Sequence, residues 1–284
     1  MYAFKNSWIK SSSLLLAGFI LANAAISPPA IAAEKNSELH YTVYLGGLYL
    51  GGIETEIEQG DSQYKIESAA NTSQAFNWIV SWFASGETEG LIGLDKFFPR
   101  QHQHKSTWNQ NVRVVTMDYG KSGSVRVEKT TTRDEGPDRY TPINPASLTN
   151  SIDPMTAILT VTNQLDEGKG CTMRLPIFDG HRRYDAFLSD VPSRYFKPTR
   201  YSVFSGNAIG CKLEFDRIGG FPVNQQQGLD AYSDQDVVVW AGAPIEGGRI
   251  VPVRMQLKTR FGNMELHLDR YREGPMQLVS RNSQ

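Results

Sequence analysis

The chain has 284 residues, and its 29 basic and 30 acidic residues leave a formal net charge of −1. It carries no basic stripe, so the composition excludes the strongly basic surface on which nucleic-acid binding depends. The length is compatible with one large all-β domain or with two small ones.

The N-terminal segment has the pattern of a cleavable export signal. Lys5 and Lys10 supply a positive start, residues 13–26 are mostly apolar, and a small-x-small sequence follows. The apolar run is shorter than the roughly 20 residues of a membrane helix, although an uncleaved anchor is the alternative. No cysteine stands directly after it, at the position that lipoprotein processing requires, so we expect no lipoprotein. We therefore expect residues 1–32 to be a signal peptide and residues 33–284 to be a single exported domain that does not span a membrane.

Beyond this segment, apolar and polar residues alternate with a period of two, as in GGIETEIEQ, SVRVEKTTT and VPVRMQLKTRF. Such alternation predicts antiparallel strands with one face in the core and the other in water. Glycine pairs act as turn signals, and those in YLGGLYLGGIE would also let a strand bend as a curled sheet requires. The predicted fold is mainly β: a single-domain antiparallel open barrel or half-barrel with one or two short helices covering its concave side.

One segment, QAFNWIVSWF, breaks the alternation because its bulky apolar residues are nearly continuous. We interpret it as a short helix or as a lip on the sheet. Among its residues, Trp78, Ile79, Trp82 and Phe83 are more large apolar side chains than an ordinary loop exposes. Two roles are open: a plug that fills the open side of the barrel, or a lid over a lipid or lipoprotein acyl chain that could also contact a membrane.

A second break in the alternation begins at Asp153. This residue is a favoured helix N-cap, and Pro154 suits the first helical position, so we expect a helix that ends near Gly168. Its apolar side is expected to cover the concave face of the sheet.

The stretch IFDGHRRYD concentrates charged side chains between two apolar segments. Its dipeptide Asp179-Gly180 is a strong hairpin signal, and a two-residue turn there pairs Arg174 with Asp185 on the outer face. Tyr184 then faces the interior. Arg182 falls on the same apolar face, where it lies at the rim with its head in water or points into a cavity and binds an anionic group.

The chain contains two cysteines, Cys171 and Cys211, and both fall at inward-facing positions of alternating segments. An even cysteine count in an exported protein favours a disulfide, and two free buried thiols are the alternative. The bridge would close a loop of 211 − 171 = 40 residues. In the chain-entropy description that closure stabilises the fold by about 4 kcal/mol.

The C-terminal region predicts another hairpin by the same rule. A turn at Gly262-Asn263 would pair Leu257 with Leu268 and Arg260 with Glu265. Apolar side chains then meet apolar ones and opposite charges meet, which is consistent with the alternation seen elsewhere.

Catalytic, metal-binding and cofactor-binding motifs are not evident. His102 and His104 share one strand face, but two imidazoles fall short of a zinc ligand set, so we expect a polar outer face there. Asp179 and Asp185 could form an acid–base pair, but the turn and the ion pair already account for them. The sequence has no G-x-S-x-G elbow, no H-E-x-x-H motif and no phosphate-binding glycine loop, so we expect no cofactor.

The chain contains, in this order, the segments SGETEGLIGLDKFFPRQHQHKS, SIDPMTAIL, FDGHRRYD and VPVRMQLKTRFG. In these it resembles the domain-of-unknown-function family 3108, over nearly all of the mature chain. The resemblance implies a β-rich periplasmic protein of Gram-negative bacteria with no established enzyme activity. It also implies kinship in shape with half-barrel lipoprotein carriers and β-spiral envelope-integrity proteins, although a shared fold does not imply a shared function.

Together these features predict a non-enzymatic envelope protein that binds an apolar ligand, such as a lipid or lipoprotein, or an envelope protein on the concave side of its sheet. The expected contact residues are Trp78, Ile79, Trp82, Phe83, Arg182 and Tyr184. One alternative is a scaffold that supports envelope integrity without a small ligand, and another is a hydrolase acting on envelope material. A dry apolar cavity above about 300 Å³ would favour a carrier, and a filled core would favour a scaffold.

Overall fold

The alternating segments form β-strands in the computed structural model, which describes residues 35–75, 81–132, 139–223, 237–259 and 262–280. The predicted signal peptide lies outside the described residues. The helical elements are α1 (Pro154–Asp166) and a short 3₁₀ helix (Pro145–Leu148). The strands are β1 (Lys35–Leu45), β2 (Leu48–Gln59), β3 (Gln63–Thr72), β4 (Trp82–Ile92), β5 (Phe97–Trp108), β6 (Asn111–Tyr119), β7 (Val125–Thr131), β8 (Met173–Phe178), β9 (Arg183–Phe196), β10 (Gly206–Gly219), β11 (Val237–Gly242), β12 (Val251–Thr259), β13 (Gly262–Glu273) and β14 (Met276–Val279).

These strands form one antiparallel sheet that remains open. Hydrogen-bonded neighbours follow the order β7-β6-β5-β4-β3-β2-β1-β13-β12-β11-β10-β9-β8, and β14 pairs with the end of β13. Among the described strands β7 and β8 do not pair with each other, so the sheet does not close into a barrel. The prediction of a mainly β, antiparallel and open architecture is confirmed.

The two glycine pairs of the first hairpin have different roles. Gly46 and Gly47 connect β1 to β2 with φ angles of +57° and +85°, the left-handed conformation that a two-residue hairpin turn requires. The second pair lies inside β2, opposite a register irregularity between Val43 and Tyr44 of β1. The first pair is therefore a turn, and only the second lies where a strand changes direction.

Helix α1 begins where the sequence predicts. Asp153 Oδ1 accepts hydrogen bonds from the backbone N–H groups of Met155, at 2.9 Å, and Thr156, at 3.0 Å. Pro154 occupies the first turn, where its missing N–H costs no hydrogen bond. None of the helices described is long and apolar enough to cross a membrane.

Helix α1 packs against both halves of the open sheet. Leu159 belongs to one buried cluster with Tyr64 of β3 and Phe97 of β5. Ala157 belongs to a second buried cluster that includes Cys171, next to β8. The sheet therefore curls around α1, and we call the face that carries α1 the inner face.

Cys171 and Cys211 form a disulfide, in agreement with the sequence-based prediction, with their Cα atoms 5.7 Å apart. Cys211 lies on β10, Cys171 immediately precedes β8, and both side chains are buried. The bond ties the edge strand β8 to a strand two positions further into the sheet.

The β8–β9 hairpin differs from its prediction in register. Phe178 pairs with Arg183, so the loop contains four residues, 179–182, instead of two. The Asp179 carboxylate explains the longer loop, because its Oδ1 accepts hydrogen bonds from the backbone N–H groups of His181, at 2.9 Å, and Arg182, at 2.6 Å. Arg182 therefore lies in the loop and not opposite Ile177 on a strand.

The register shift is an even number of residues, so it leaves every side chain on its predicted face. Ile177 and Ala186 still face inward, in the cluster around the disulfide. Arg174 lies opposite Phe187 instead of Asp185, yet its guanidinium reaches diagonally and still forms the ion pair with Asp185.

The predicted turn at Gly262-Asn263 is also wrong in register. Gly262 already belongs to β13 and pairs with Thr259, while the two residues between them lie outside the described residues. Leu257 consequently pairs with Met264 instead of Leu268. This shift is again even, so the inward and outward faces survive it.

Candidate binding cleft on the inner face

The floor of the cleft is made of small side chains from neighbouring strands. Ala70 of β3, Ala84 of β4 and Ser106 of β5 lie opposite one another in one cross-strand row. Ser68 and Gly86 lie opposite each other in the next row. Side chains of this size cannot fill the space between the sheet and the residues above it. A cleft of about 630 Å³ remains over this floor.

One end of the cleft is aromatic. Trp82, the first residue of β4, lies directly opposite Trp108, the last residue of β5, and both line the cleft. Asn111 and Val112 of β6 continue this end of the lining. Trp108 is 44% exposed, so its ring is accessible at the mouth of the cleft.

The other end of the cleft is polar. His104 of β5 lines it from the sheet, and Pro154 and Met155 line it from the start of α1. Arg113 of β6 also lines the cleft, but it lies opposite Ser106, between the two ends. The β8–β9 loop, residues 179–182, forms the facing wall. The cleft therefore joins an aromatic end to a charged end along the direction of the strands.

A chain of buried hydrogen bonds next to the polar end of the cleft joins the start of α1 to the sheet. Asp153 Oδ1 accepts from the Thr88 hydroxyl at 2.9 Å, and Asp153 Oδ2 accepts from the Thr156 hydroxyl at 2.5 Å. Because each hydroxyl has a single proton, Thr88 accepts from His102 Nδ1, at 2.7 Å, and Thr156 accepts from the Tyr64 hydroxyl, also at 2.7 Å. The N-cap of α1 is thereby bonded to β3, β4 and β5.

Burial determines the protonation of the two histidines. It lowers the pKa of His102 below its usual range, although the neighbouring Asp153 carboxylate acts in the opposite direction. Burial, and then the proximity of His102, lowers the pKa of His104. The rings lie parallel, with centroids 6.5 Å apart. Both imidazoles are therefore neutral at neutral pH.

The expectation that His102 and His104 lie on a polar outer face is wrong. His102 lies between Thr88 and Met117 in its cross-strand row, and all three side chains are buried on the inner face. Across the described ranges, no group of three or more His, Cys, Asp or Glu side chains has the arrangement to hold a metal ion.

The loop that forms the wall packs firmly against the sheet. Gly180 has a φ of +83°, and a Cβ atom there would overlap with the Val115 side chain of β6. The His181 ring meets the Tyr140 ring edge to face at 4.5 Å, and its Nδ1 lies 3.4 Å from Lys129 Nζ of β7. The loop thus bridges the gap between the two ends of the open sheet.

Arg182 lies at the rim, the first of the two alternatives that its sequence left open, and its binding of an anionic group stays a prediction. Its Nε donates to Asp179 Oδ2 at 3.0 Å, and its side chain is 42% exposed, so it lies at a rim. It also lines the cleft, together with Tyr184. Burial raises the pKa of Tyr184, whose ring packs edge to face on Phe215.

The structure describes only part of the segment QAFNWIVSWF. Trp78 and Ile79 lie outside the described residues, so their predicted role stays a prediction. Trp82 and Phe83 begin β4 and are neither a short helix nor a lip. Because neighbouring residues of a strand point to opposite faces, Trp82 lines the cleft whereas Phe83 faces away from it.

Asp185 keeps the outer face that the sequence predicted, but its side chain is buried there instead of exposed. Its Oδ1 accepts from Arg183 Nη1 at 2.6 Å, and Arg174 covers its Oδ2. Burial raises the pKa of Asp185, but the hydrogen bonds from Arg174 and Arg183 outweigh it and hold that pKa below its usual value. Arg183 also donates to the carbonyl of Ser147, at 2.8 Å, so the RRYD sequence anchors the 3₁₀ segment to β9.

Sequence reasoning missed Arg113, Trp108 and Met155 as cleft residues. Each belongs to a different element, and only the cross-strand rows bring them together. The small residues in ASGE and SAAN were a usable signal, because a run of them on an inward strand face leaves the interior unfilled.

The sequence profile of the family described as "Protein of unknown function (DUF3108)" matches residues 40–269. No curated protein matches the sequence. A solved structure, described as the crystal structure of a beta-barrel-like protein of domain of unknown function DUF1849 from Brucella abortus, superposes with a TM-score of 0.48 and 8% sequence identity. That superposition covers 86% of this chain and 100% of the other.

Proposed function

The chain belongs to the DUF3108 family of proteins of unknown function, and from that premise we propose that it is a non-enzymatic binding protein whose inner-face cleft holds the apolar part of an amphipathic ligand. The volume of about 630 Å³ lies within the range of about 300–1,000 Å³ for small-molecule sites. The aromatic end supplies apolar contact area, and the charged end supplies orientation.

The observation that carries this proposal is the floor of small residues. Hydrophobic burial favours a filled interior, and a scaffold would gain stability from bulky side chains at these positions. The rows containing Ala70, Ala84 and Ser106 instead leave room for a guest. An open cleft supports binding over the scaffold alternative, and its charged end makes the ligand amphipathic, not purely apolar.

The burial of the polar network supports a role without catalysis. Thr88 and Asp153 are each 0% exposed, and both are held by hydrogen bonds to their neighbours. A nucleophile or general base must reach a substrate atom within hydrogen-bond distance, and neither of these two buried groups belongs to the lining of the cleft.

We further propose that the protein works in the periplasm. The export pattern of residues 1–32 and the disulfide between Cys171 and Cys211 support this location, because disulfides persist in oxidising compartments. In a Gram-negative host, the protein released by osmotic shock should lack residues 1–32 and should react with a thiol-alkylating reagent only after reduction. Full-length, alkylated protein in the cytoplasmic fraction would contradict the location.

The binding proposal is tested with a fluorescent apolar probe, N-phenyl-1-naphthylamine, whose emission rises in an apolar site. Ser106→Phe places a ring in the cleft and should weaken probe binding at least about tenfold. Gln103→Phe adds the same ring to the exposed outer face of the same strand and serves as the matched control. If Ser106→Phe lowers the melting temperature, Ala70→Phe offers a second filling variant on another strand.

Native mass spectrometry of the purified protein adds a direct readout of any co-purifying ligand. Wild-type protein that is empty and binds no probe, or filling variants that bind as well as wild type, would overturn the proposal. A defined crosslinked protein partner without any lipid would then favour the scaffold alternative.

A further inference from the structure

We infer that one end of the sheet docks on the surface of a lipid bilayer. This end consists of the β1–β2 turn, the end of β3 with the start of β4, and the β5–β6 turn. Its exposed apolar side chains are Leu48, Tyr49, Phe83 and Trp108, and we call the surface that they form the apolar tip. The inference goes beyond the proposed function, because it assigns a partner to a surface of which only Trp108 also lines the cleft.

Hydrogen bonds join the three hairpins at this end. The Ser73 N–H, just after β3, donates to the Leu50 carbonyl at 2.8 Å and holds β3 beside the β1–β2 hairpin. The Asn109 N–H, in the β5–β6 turn, donates to the Ser81 carbonyl at 2.7 Å, and the Asn109 side chain accepts from the Ser81 N–H at 3.1 Å. The apolar tip is therefore one connected surface.

The four side chains extend around the end of the sheet. Leu48 is the most exposed of them, at 63%, and the other three are 44% or 45% exposed. Phe83 lies on the outer face of β4, whereas Trp108 lines the cleft. Single exposed apolar side chains are common on proteins, but several on neighbouring hairpins form a patch that marks an interaction site.

The segments that form the apolar tip carry no charge. Asp, Glu, Lys and Arg are absent from residues 41–53, 68–75, 81–86 and 106–112. The turns at the opposite ends of strands β2 to β7 each contain a charged residue, at Asp61, Asp95 and Lys121. Turns are ordinarily polar because water surrounds them, and a charged group is costly to move into a bilayer. The apolar tip can therefore enter the bilayer interface without desolvating a charge.

The chemistry of these side chains matches the boundary between water and hydrocarbon. Trp and Tyr are enriched at this boundary, because each joins an apolar ring to a polar N–H or O–H group. Leu48 and Phe83 add purely apolar surface. A protein partner typically meets a packed apolar patch ringed by polar groups, whereas these side chains lie on separate turns around the end of a sheet. Their arrangement favours shallow insertion into a bilayer over a flat contact with a protein.

The apolar tip adjoins the mouth of the cleft. Trp108 belongs to both, and Trp82 lies directly opposite it. A docked tip places the aromatic end of the cleft against the bilayer, so an apolar chain passes between them without exposing its surface to water. The position of the cleft mouth therefore also favours a bilayer as the partner.

The test is flotation of the protein on a density gradient with large unilamellar vesicles of phosphatidylcholine, repeated with vesicles that also contain phosphatidylglycerol. Wild-type protein released by osmotic shock should float with both kinds of vesicle. Binding should persist at about 0.5 M NaCl, because the apolar tip has no charge for salt to screen.

Leu48→Asp places a charge in the apolar tip and should lower the vesicle partition coefficient at least about tenfold. Leu94→Asp is the matched control, because Leu94 is fully exposed but lies in the β4–β5 turn, at the opposite end of β4. It makes the same change in net charge and should stay within about twofold of wild type. If Leu48→Asp lowers the melting temperature, Phe83→Asp offers a second variant on another hairpin.

Equal losses of vesicle binding in Leu48→Asp and Leu94→Asp would overturn the inference, as would wild-type protein that floats with neither kind of vesicle. A wild-type dimer in solution that Leu48→Asp converts to a monomer, without any flotation, would assign the apolar tip to a second copy of the chain instead.

Docking and cleft binding can fail separately. Leu48 does not line the cleft, so Leu48→Asp should bind N-phenyl-1-naphthylamine as wild type does. Wild-type protein that binds this probe but no vesicles would overturn the docking inference and leave the proposed function standing. Protein that floats, is sensitive to Leu48→Asp and binds no probe would support docking and remove the proposed function.

Discussion

The guanidinium of Arg183 lies 2.6 Å from the carboxylate of Asp185, two residues along β9, and both side chains are buried. Arg183 also donates to the Ser147 carbonyl, so the guanidinium of this buried ion pair connects β9 to the 3₁₀ segment. This pair gives the charged sequence RRYD a structural role at the wall of the cleft.

Removing the charge of Asp185 should therefore lower the stability of the fold. Asp185→Asn leaves Arg183 buried without its anionic partner, and we expect a loss of about 3 kcal/mol in the free energy of unfolding. Asp216→Asn is the matched control, because Asp216 lies directly opposite on β10 but is exposed. Urea denaturation of both variants provides the measurement. A stability of Asp185→Asn equal to that of the control would show that the pair is not structural.

The contact between Gly180 and Val115 predicts a steric effect that can be separated from backbone strain. Gly180→Ala adds a methyl group that overlaps Val115, and the residue has a φ of +83°, which strains any side chain. We expect it to lower the free energy of unfolding by about 3 kcal/mol. Gly168→Ala is the control, because Gly168 has φ of +72° but nothing within 4 Å of the added atom. Gly168→Ala should lower the free energy of unfolding only by the backbone strain, about 1 kcal/mol. Denaturation of each variant gives these values.

A double substitution tests the same contact from the other side. Val115→Ala should recover part of the stability lost in Gly180→Ala, because the smaller side chain makes room for the methyl group. Strictly additive losses in this double-mutant cycle would mean that the loop and β6 do not press on each other.

The disulfide predicts a redox-dependent stability. Replacing both Cys171 and Cys211 by Ser should lower the free energy of unfolding by about 4 kcal/mol, since the unfolded chain regains the freedom of the closed loop. Dithiothreitol should lower the stability of wild type toward that of the variant and leave the variant unchanged. The prediction fails if wild type shows the same urea midpoint with and without reductant.

The lowered pKa of His102 predicts that stability declines in mild acid. The unfolded imidazole has a pKa of about 6.5, and the folded one lies below it. At higher pH both states are neutral and stability is complete. As the pH falls below about 6.5 the unfolded state takes up its proton first, so stability is lost until the folded pKa is reached.

His102→Asn, which keeps a hydrogen-bond donor for Thr88 and does not titrate, should lessen this decline between about pH 7 and pH 5, while His104 and His267, whose pKa values burial also lowers, keep their share of it. Melting temperatures of wild type and variant across that range provide the comparison, and imidazole NMR shifts report the titration itself. Parallel pH profiles for the two proteins would contradict the assignment of the effect to His102.

The sequence alone was sufficient for the features that depend on local periodicity. Two-residue alternation predicted an open antiparallel sheet and placed Cys171 and Cys211 inside, and the Asp153-Pro154 pair located the start of α1. These features hold because a strand alternates faces every residue and a helix start needs a specific cap. They do not depend on which strand lies beside which.

The sequence did not determine the register of the strands, because an even shift leaves every side chain on the same face of the sheet. The predicted turns at Asp179-Gly180 and Gly262-Asn263 both satisfied the alternation. The structure has a longer connection at the first and places the second earlier in the chain. In the first, a side chain that accepts from the loop backbone changes the turn, an effect that apolar patterning does not register.

The cleft was decided by the tertiary structure alone. Small residues on β3, β4 and β5 form a floor only when the strands lie in register. Arg113 and Arg182 line one cleft only because the sheet curls until its ends approach each other. The direction of a side chain is a local property of the backbone, so it can be predicted from the sequence pattern. Space between strands far apart in the chain is a property of packing, and it exists only in the folded protein.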